Sequence, residues 1–254
     1  MDMKNKTAIA TGAASGMGFC FSENVAALGG NVVMCDVDAD ALLEKVAAIN
    51  DRGAGRAVGV ICDVRDYAQV CAARDRAVAE FGGIDILVSF AGGTATRVLK
   101  VDREKYPEFP DVPIEVYDWG LDVNLRGPFY FAHAVMDQMR RQKSGLIVNI
   151  GSITGFEGSS YGVEYSVAKS GLMIGLTRSL AQYGEKYGVR CVCVSPGPVL
   201  TRPAMANMKT MLGRAADPQE IIDLILFIAS GKGQFINGEN IMIDGGRNAM
   251  QRWK

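Results

Sequence analysis

Tyr165 and Lys169 are the side chains of this sequence whose types and spacing best suit acid–base chemistry. In a helix, a spacing of four residues places a phenol and an ammonium group on one face. A free phenol has a pKa of about 10, too high for an efficient base at neutral pH, and a nearby cation stabilises its anion. Ser152 lies 13 residues before the tyrosine and just past an apolar run that ends at Ile150. We therefore predict that Tyr165 exchanges a proton with a substrate oxygen that Ser152 binds, with Lys169 as the supporting cation.

A glycine-rich turn follows the first apolar run of the chain and opens a helical pattern. The free N–H groups at the start of a helix attract phosphate, and glycines let a phosphate approach the backbone closely. We expect a dinucleotide pyrophosphate to bind here, with contacts from Gly12, Ser15, Gly16, Met17 and Gly18.

Two aspartates follow the next predicted strands. Asp36 ends the second strand, where a carboxylate accepts hydrogen bonds from both hydroxyls of an adenosine ribose. Such a carboxylate repels the additional phosphate of NADP, and neither Ser15 nor Val37 beside it is basic, so the sequence favours NAD. Asp63 ends the third strand and has two interpretations: it binds the adenine amino group, or it caps the next helix.

The elements that must position these residues alternate along the chain. Short apolar runs predict strands at 6–11, 31–35, 56–61, 84–90, 145–150, 189–194 and 240–243. Amphipathic stretches predict helices from the glycine turn to about residue 28 and at 38–50, 66–81, 116–141, 161–187 and 218–229. Strands this apolar need both faces covered, which predicts a single-domain α/β chain (residues 1–254) with a doubly wound, Rossmann-like, seven-stranded parallel sheet. Ligands of such sheets bind beyond the carboxyl ends of the strands.

The composition of the chain indicates which classes of binding partner to expect. Apolar residues make up 48% of the chain, charged residues 22%, and the formal net charge is −1 with both signs interspersed, so we expect no nucleic-acid or membrane partner. No apolar run has the length of a membrane span or secretory signal. The six cysteines contain no C-x-x-C pair and the chain has one histidine, His133, so we expect reduced thiols, a cytoplasmic protein and no metal site.

These motifs together resemble the short-chain dehydrogenase/reductase family, and the resemblance covers essentially the whole chain. The matching segments are the T-G-x-x-x-G-x-G turn at 11–18, Asp63-Val64, Asn124-Leu125, Ser152, the Y-x-x-x-K at 165–169 and Pro196-Gly197.

The resemblance implies an NAD(H)-dependent oxidoreductase that interconverts a secondary alcohol and a ketone. It implies that Asn124 belongs to a proton relay whose water lies near Lys169, and that Lys169 also binds the nicotinamide ribose. Further cofactor contacts implied by the family are Val64, Ala91, Gly92, Tyr165, Pro196, Gly197, Val199 and Thr201. A homo-oligomer, either a tetramer or a dimer, is also a family expectation.

The chain departs from the family at three places. Phe90-Ala91-Gly92 replaces the usual N-A-G, which removes a buried amide and leaves open whether the phenyl ring repacks the floor beneath the cofactor. The loop near 93–118 is roughly ten residues longer than is common, and the lid near 198–217 roughly eight shorter. We expect the longer loop to form much of the substrate wall; the alternative is that 107–113 packs on the surface or at a subunit contact.

The sequence is compatible with several functions. Hydroxysteroids, sugars or polyols, and 3-oxoacyl thioesters are family substrates, so a 3-oxoacyl-thioester reductase is the main alternative. Arg97, Lys100 and Arg103 suit a bulky or anionic substrate, although charged loop residues are commonly just solvated. A non-catalytic NAD-sensing protein is a further alternative, but it would not need Ser152, Tyr165 and Lys169 together.

Overall fold

The computed structural model describes residues 2–250, and these contain one sheet of seven parallel strands. In chain order the strands are β1 (Thr7–Thr11), β2 (Asn31–Asp36), β3 (Arg56–Ile61), β4 (Ile86–Ser89), β5 (Gly145–Ile150), β6 (Val189–Pro196) and β7 (Asn240–Ile243). They lie side by side in the order β3-β2-β1-β4-β5-β6-β7. The winding direction therefore reverses between β1 and β4, and the predicted doubly wound fold is confirmed.

Helices connect the strands. They are α1 (Gly16–Ala27), α2 (Ala39–Asn50), α3 (Tyr67–Phe81), α4 (Ala95–Val98), α5 (Ile114–Leu121), α6 (Gly127–Gln142), α7 (Thr154–Glu157), α8 (Val163–Ser170), α9 (Thr177–Gly184) and α10 (Pro218–Ala229). A turn of π-helix at Asp122–Arg126 joins α5 to α6, and a second one at Gly171–Leu176 joins α8 to α9. Each predicted long helix is thus continuous but contains a widened turn, a feature that is frequent at functional sites.

Two hydrophobic cores sandwich the sheet. On one face α1, α2 and α10 pack through side chains such as Phe21, Leu42 and Ile221. On the other face α3, α6 and α9 pack through Val70, Phe131 and neighbouring residues. Burial on both faces explains why the strands are apolar throughout rather than alternating. Among residues 2–250, no helix combines the length and apolarity needed to cross a bilayer.

Aspartates begin three of the helices. Asp38, Asp66 and Asp217 each accept hydrogen bonds from amides in the first turn of α2, α3 and α10. The cap of α3 is therefore Asp66, and the interpretation of Asp63 as a helix cap is wrong. Asp63 lies three residues earlier, at the edge of the sheet.

Candidate active site

The predicted site residues lie along one edge of the sheet, at the carboxyl ends of the strands. A cleft of about 600 Å³ opens there, lined among others by Gly12, Ser15, Gly16, Met17, Gly18, Asp36, Asp63, Val64, Ala91 and Gly92. A larger cavity of about 1290 Å³ opens at the opposite edge, and no predicted site residue lines it. Because predicted site residues line the smaller cleft and not the larger cavity, we take the smaller cleft as the candidate site.

The glycine turn has a backbone conformation that residues with a side chain could adopt only with strain. Gly12 and Gly16 have φ of 62° and 54°. A Cβ on Gly12 would lie 2.9 Å from the backbone of Ala91, and one on Gly18 would collide with the carbonyl oxygen of Gly12. Since α1 starts at Gly16, directly after the exposed Ser15, the free amides of its first turn face the cleft. This arrangement fits a bound phosphate.

Asp36 is held in the cleft wall by backbone amides. Its carboxylate accepts hydrogen bonds from the amides of Ala14 (2.9 Å), Val37 (2.8 Å) and Asp38 (3.1 Å). Three contacts fix its orientation beside the glycine turn. A carboxylate offers about four acceptor sites, so it retains capacity for a ligand hydroxyl.

Asp63 lines the same cleft but is paired with a basic residue. Both carboxylate oxygens lie 3.0 Å from Nε of Arg65, and this guanidinium holds the pKa of Asp63 below its ordinary value. Val64, the next residue, is buried, and its side chain fills the space that a Cβ on Gly127 would need.

Phe90 forms part of the floor of the cleft. Its half-buried ring packs against Phe21, with ring centres 5.6 Å apart. The neighbouring Ala91 donates its amide to Oγ1 of Thr11 at 3.0 Å, which ties the end of β1 to the end of β4. The ring thus repacks the floor, and the hydroxyl of Thr11 connects the two strands.

Lys169 and Asn124 lie buried at the centre of the edge. The Lys169 ammonium group donates to the carbonyl of Ile150 at 2.8 Å and lies 5.5 Å from the centre of the Tyr165 ring. Asn124, in the first π-turn, donates to the carbonyls of Gly93 and Gly120 and accepts from the Gly93 amide, each at 2.9 Å. Gly92 lies between Asn124 and Lys169, so close that a side chain there would have its Cβ 3.6 Å from Lys169 Nζ. The structure therefore brings Asn124, Lys169 and the predicted acid–base tyrosine together.

Ser152 follows β5 and faces the phenol. It is buried, and its hydroxyl accepts a hydrogen bond from the Thr154 amide at 3.1 Å. Burial raises the pKa of Tyr165, and a hydrogen bond with Ser152, followed by the charges of Arg97 and Arg202, opposes that rise. Sequence reasoning expected Lys169 to stabilise the phenolate; its ammonium group lies 5.5 Å from the ring centre, and Arg97 and Arg202 add further positive charge that acts on the phenol.

The charge of Lys169 is itself disfavoured by its position. Burial lowers the pKa of this side chain to about 8, and the neighbouring Cys193 opposes the shift. An ammonium group that titrates near neutrality can exchange protons during a reaction cycle.

The lid after β6 reaches back to the glycine turn. Pro196 ends β6, and the amide of Gly197 donates to the Ile243 carbonyl at 2.9 Å. The buried Val199 forms a short parallel bridge with Ala216. The Thr201 methyl group lies beside Gly16, 3.5 Å from where a Cβ would be. Thr201 therefore lies next to the glycine turn that lines the cleft, and residues 196–199 lie beside β7 and the end of the lid.

Sequence reasoning missed two residues. Arg202 directly follows Thr201, and that adjacency is the one signal that could have found it. Glu164 directly precedes Tyr165 and is 4% exposed, with Oε1 accepting from the amide of Ala95 at 3.0 Å. No sequence pattern indicates this contact, because it joins segments about seventy residues apart.

The chain is similar to known proteins over most of its length. The family model described as enoyl-(acyl carrier protein) reductase matches residues 12–248. Trans-4-hydroxycyclohexanecarboxylate dehydrogenase of Sinomonas cyclohexanicum is 38% identical, over 96% of this chain and 93% of that protein. The crystal structure of a 3-oxoacyl-(acyl-carrier protein) reductase with bound NAD from Brucella melitensis superposes with a TM-score of 0.85 at 27% identity, covering 96% of this chain and 91% of that one.

A crystal structure of a short-chain type dehydrogenase/reductase from Mycobacterium marinum is similar over a still larger share. It covers 98% of this chain and 97% of its own, with a TM-score of 0.87 and 30% identity. By their names these relatives are dehydrogenases or reductases, and the Brucella structure contains NAD. The chain is accordingly an oxidoreductase that belongs to the short-chain dehydrogenase/reductase family.

Proposed function

We propose that this protein is an NAD(H)-dependent oxidoreductase that interconverts a secondary alcohol and a ketone, with Tyr165 as the acid and base. The observation that carries the proposal is the grouping of four polar residues at the carboxyl edge of β4 and β5, namely Asn124, Ser152, Tyr165 and Lys169. Asn124, Ser152 and Lys169 are buried, and a group of titratable side chains with shifted pKa values beside an open cleft is typical of catalytic sites.

The residues of the cleft fit a dinucleotide. We assign its binding to Gly12, Ser15, Gly16, Met17, Gly18, Asp36, Asp63, Val64, Ala91, Gly92, Tyr165, Lys169, Pro196, Gly197, Val199 and Thr201. Support comes from the positive φ of Gly12 and Gly16, and from the close backbone approach at Gly12 that leaves no room for a Cβ. The carboxylate of Asp36 favours NAD over NADP. When bound, the nicotinamide supplies the hydride chemistry of the reaction.

The chain's own residues handle the proton. In the oxidative direction the phenolate of Tyr165 takes the proton of the alcohol, and in the reductive direction the phenol returns it to the carbonyl oxygen. Ser152 hydrogen-bonds the same oxygen and fixes its position. Lys169 stabilises the phenolate, and Asn124 holds the turn at Gly93 and belongs to the relay that exchanges protons with solvent.

A 3-oxoacyl-thioester reductase is the second candidate. It is favoured by the TM-score of 0.85 to a 3-oxoacyl-(acyl-carrier protein) reductase that holds NAD. A non-catalytic NAD-sensing protein is less favoured, because NAD sensing alone gives no reason to bury the ammonium group of Lys169 beside Tyr165.

The deciding experiment replaces Tyr165 by phenylalanine. Wild type is first assayed with NAD and NADP against cyclic hydroxy acids, polyols, hydroxysteroids and 3-oxoacyl thioesters, by the absorbance of the reduced cofactor. We expect Tyr165→Phe to lower kcat on the accepted substrate by about 10²- to 10⁴-fold and to change the Kd for NAD far less, because the ring and the other cofactor contacts remain. Tyr183→Phe, at an exposed tyrosine, is the matched control. Near-normal turnover by Tyr165→Phe would overturn the acid–base assignment.

We further propose that the protein forms a homo-oligomer, either a tetramer or a dimer. Large apolar side chains are exposed on the helices beside the site, with Phe129 on α6, Val167 on α8 and Ile174 on the second π-turn each about half accessible. Apolar groups of this size favour association when they are contiguous. A cytoplasmic location accords with the six cysteines, all of them free thiols. Light scattering on a sizing column measures the subunit number.

A further inference from the structure

Two arginines from different loops face the proposed acid–base tyrosine. Arg97 lies on α4, beyond the end of β4, and its guanidinium fills the space beside Gly93. Gly93 is tied to Asn124 by two hydrogen bonds, so this guanidinium lies at the border of the catalytic group. Arg202 follows Thr201 in the lid beyond β6. Thr201, its neighbour, lies beside Gly16 in the wall of the cleft, and the charges of both arginines act on Tyr165.

Neither arginine has an acidic partner within residues 2–250. The hydrogen bond from Arg202 to the sulfur of Met205, at 3.7 Å, is the one side-chain contact found for the pair in this part of the chain. Other basic residues nearby are engaged. Arg103 stacks 3.9 Å from the ring centre of Tyr161, and Arg214 forms an ion pair with Glu220.

The two charges also oppose each other. The atoms around Arg97 desolvate its guanidinium and lower its pKa although much of the side chain is exposed, and the positive charge of Arg202 lowers it further. Like charges without a counter-ion are unfavourable in a partly desolvated site. An anion that contacts both guanidinium groups removes the repulsion and gains charge-assisted hydrogen bonds.

We propose that Arg97 and Arg202 together bind a carboxylate of the substrate, so that the protein acts on a hydroxy acid and its oxo acid. The proposal rests on the proposed function, because Tyr165 marks where the reacting carbon lies. A planar carboxylate matches the forked donors of a guanidinium, and two arginines can each contact one oxygen.

The cofactor phosphates are the other anions that could reach this side of the cleft. They are assigned to the glycine turn, where α1 begins at Gly16. Arg97 lies instead beside Gly93, which is hydrogen-bonded to Asn124, and this position favours a substrate anion. Arg202 follows Thr201, which lies beside Gly16, so titration with NAD decides between the substrate and the cofactor phosphates for this residue.

Binding of two probes of equal shape tests the proposal without requiring turnover. Cyclohexanecarboxylate and cyclohexanecarboxamide are titrated calorimetrically into the protein with and without NAD. We expect wild type to bind the carboxylate at least about tenfold more tightly than the carboxamide. Arg97→Gln and Arg202→Gln should each reduce this preference by about fivefold or more, and the corresponding lysine variants should retain part of it. Lys100→Gln and Lys209→Gln remove the same charge from exposed positions of the same two loops and should leave the preference unchanged.

The outcomes separate this proposal from the proposed function. Equal affinity of wild type for both probes would overturn the carboxylate site, as would a preference that survives both glutamine variants. A loss of NAD affinity equal to the loss of carboxylate affinity would assign the arginines to the cofactor and also overturn it. The acid–base function is judged separately, by turnover of Tyr165→Phe, and the carboxylate preference should persist in that variant.

Discussion

Glu164 accepts a hydrogen bond of 3.0 Å from the amide of Ala95, the first residue of the helix that carries Arg97. The same glutamate is the neighbour of Tyr165 at the start of α8. Its second oxygen, Oε2, is buried and has no partner among the described residues. This contact ties the helix of the acid–base tyrosine to the turn that presents an arginine to the substrate.

We predict that Glu164→Ala destabilises the fold more than Glu164→Gln does. Alanine leaves the buried Ala95 amide without an acceptor, which should lower the free energy of unfolding by about 1–3 kcal/mol. Glutamine keeps an acceptor oxygen and should cost less than about 1 kcal/mol. Urea unfolding of both variants and wild type measures the difference. Wild-type stability of Glu164→Ala would show that the contact contributes nothing.

Lys169 should make stability rise with pH in alkaline solution. Its pKa is about 8 in the folded protein, against 10.5 as the ordinary value. Between these values the unfolded chain binds more protons than the folded one, so the free energy of unfolding increases with pH. The gain relative to Lys169→Met should be about 3 kcal/mol across this window. Cys62, a thiol whose pKa is raised to about 12 without any influence of Lys169, has the opposite effect but cancels in the comparison.

The measurement is chemical unfolding of wild type and Lys169→Met at matched pH values. A difference in stability that stays constant from pH 8 to pH 10.5 would mean that Lys169 keeps its ordinary pKa in the folded protein.

Asp36→Asn should shift cofactor preference toward NADP. Asparagine keeps an oxygen that accepts from the backbone amides around Asp36 but loses the charge that repels an additional phosphate. We expect the ratio of kcat/KM for NAD over NADP to fall by about tenfold or more, which is about 1.4 kcal/mol. Asp38→Asn is the control: it makes the same charge change two residues away, and asparagine caps α2 equally well. Equal use of both cofactors by wild type would contradict the role of Asp36.

Gly12→Ala should weaken cofactor binding through a backbone collision. Both Gly12 and Gly53 have positive φ, 62° and 69°, but a Cβ at Gly53 meets nothing within 4 Å, whereas at Gly12 it meets Ala91. We expect the Kd for NAD to rise at least about tenfold in Gly12→Ala and to stay within about twofold in Gly53→Ala. Fluorescence titration with NADH measures both, and similar losses in the two variants would point to backbone strain alone.

Deleting residues 105–111 should raise KM for the accepted substrate. This segment packs through Phe109, whose carbonyl accepts from the Tyr117 hydroxyl at 3.0 Å, and through Tyr106, whose carbonyl accepts from Tyr161 at 3.0 Å. If the loop forms the substrate wall, KM should rise by about fivefold or more while the Kd for NAD stays constant. An unchanged KM in a folded variant would support surface packing instead.

Sequence periodicity was sufficient for the strands and the winding of the sheet, because buried parallel strands are apolar throughout. The strands Arg56–Ile61, Gly145–Ile150 and Asn240–Ile243 have the predicted bounds. Whether Asp63 caps α3 or faces a ligand was not decidable from the sequence, since Asp63 and Asp66 lie in the same strand-to-helix turn and either could cap the helix.

The electrostatics of the site depend on the irregular loops. Arg97 and Arg202 are about one hundred residues apart in sequence, and no periodic pattern relates them. The spacing of Tyr165 and Lys169 did predict that the pair lies together, as the 5.5 Å between ammonium group and ring centre confirms. It did not reveal that burial would oppose the charge on both side chains.

In chain order, the segments proposed to bind the cofactor are separate from those proposed to bind the substrate. Everything assigned to the adenosine half of the dinucleotide comes from β1, β2 and β3, which are complete before β4 begins, whereas both arginines belong to excursions that follow β4 and β6. Those excursions can change in length or composition without altering the register of any strand. Replacing these two loops by those of a relative is therefore a short route, in evolution or in the laboratory, to a protein with the same fold and a different substrate specificity.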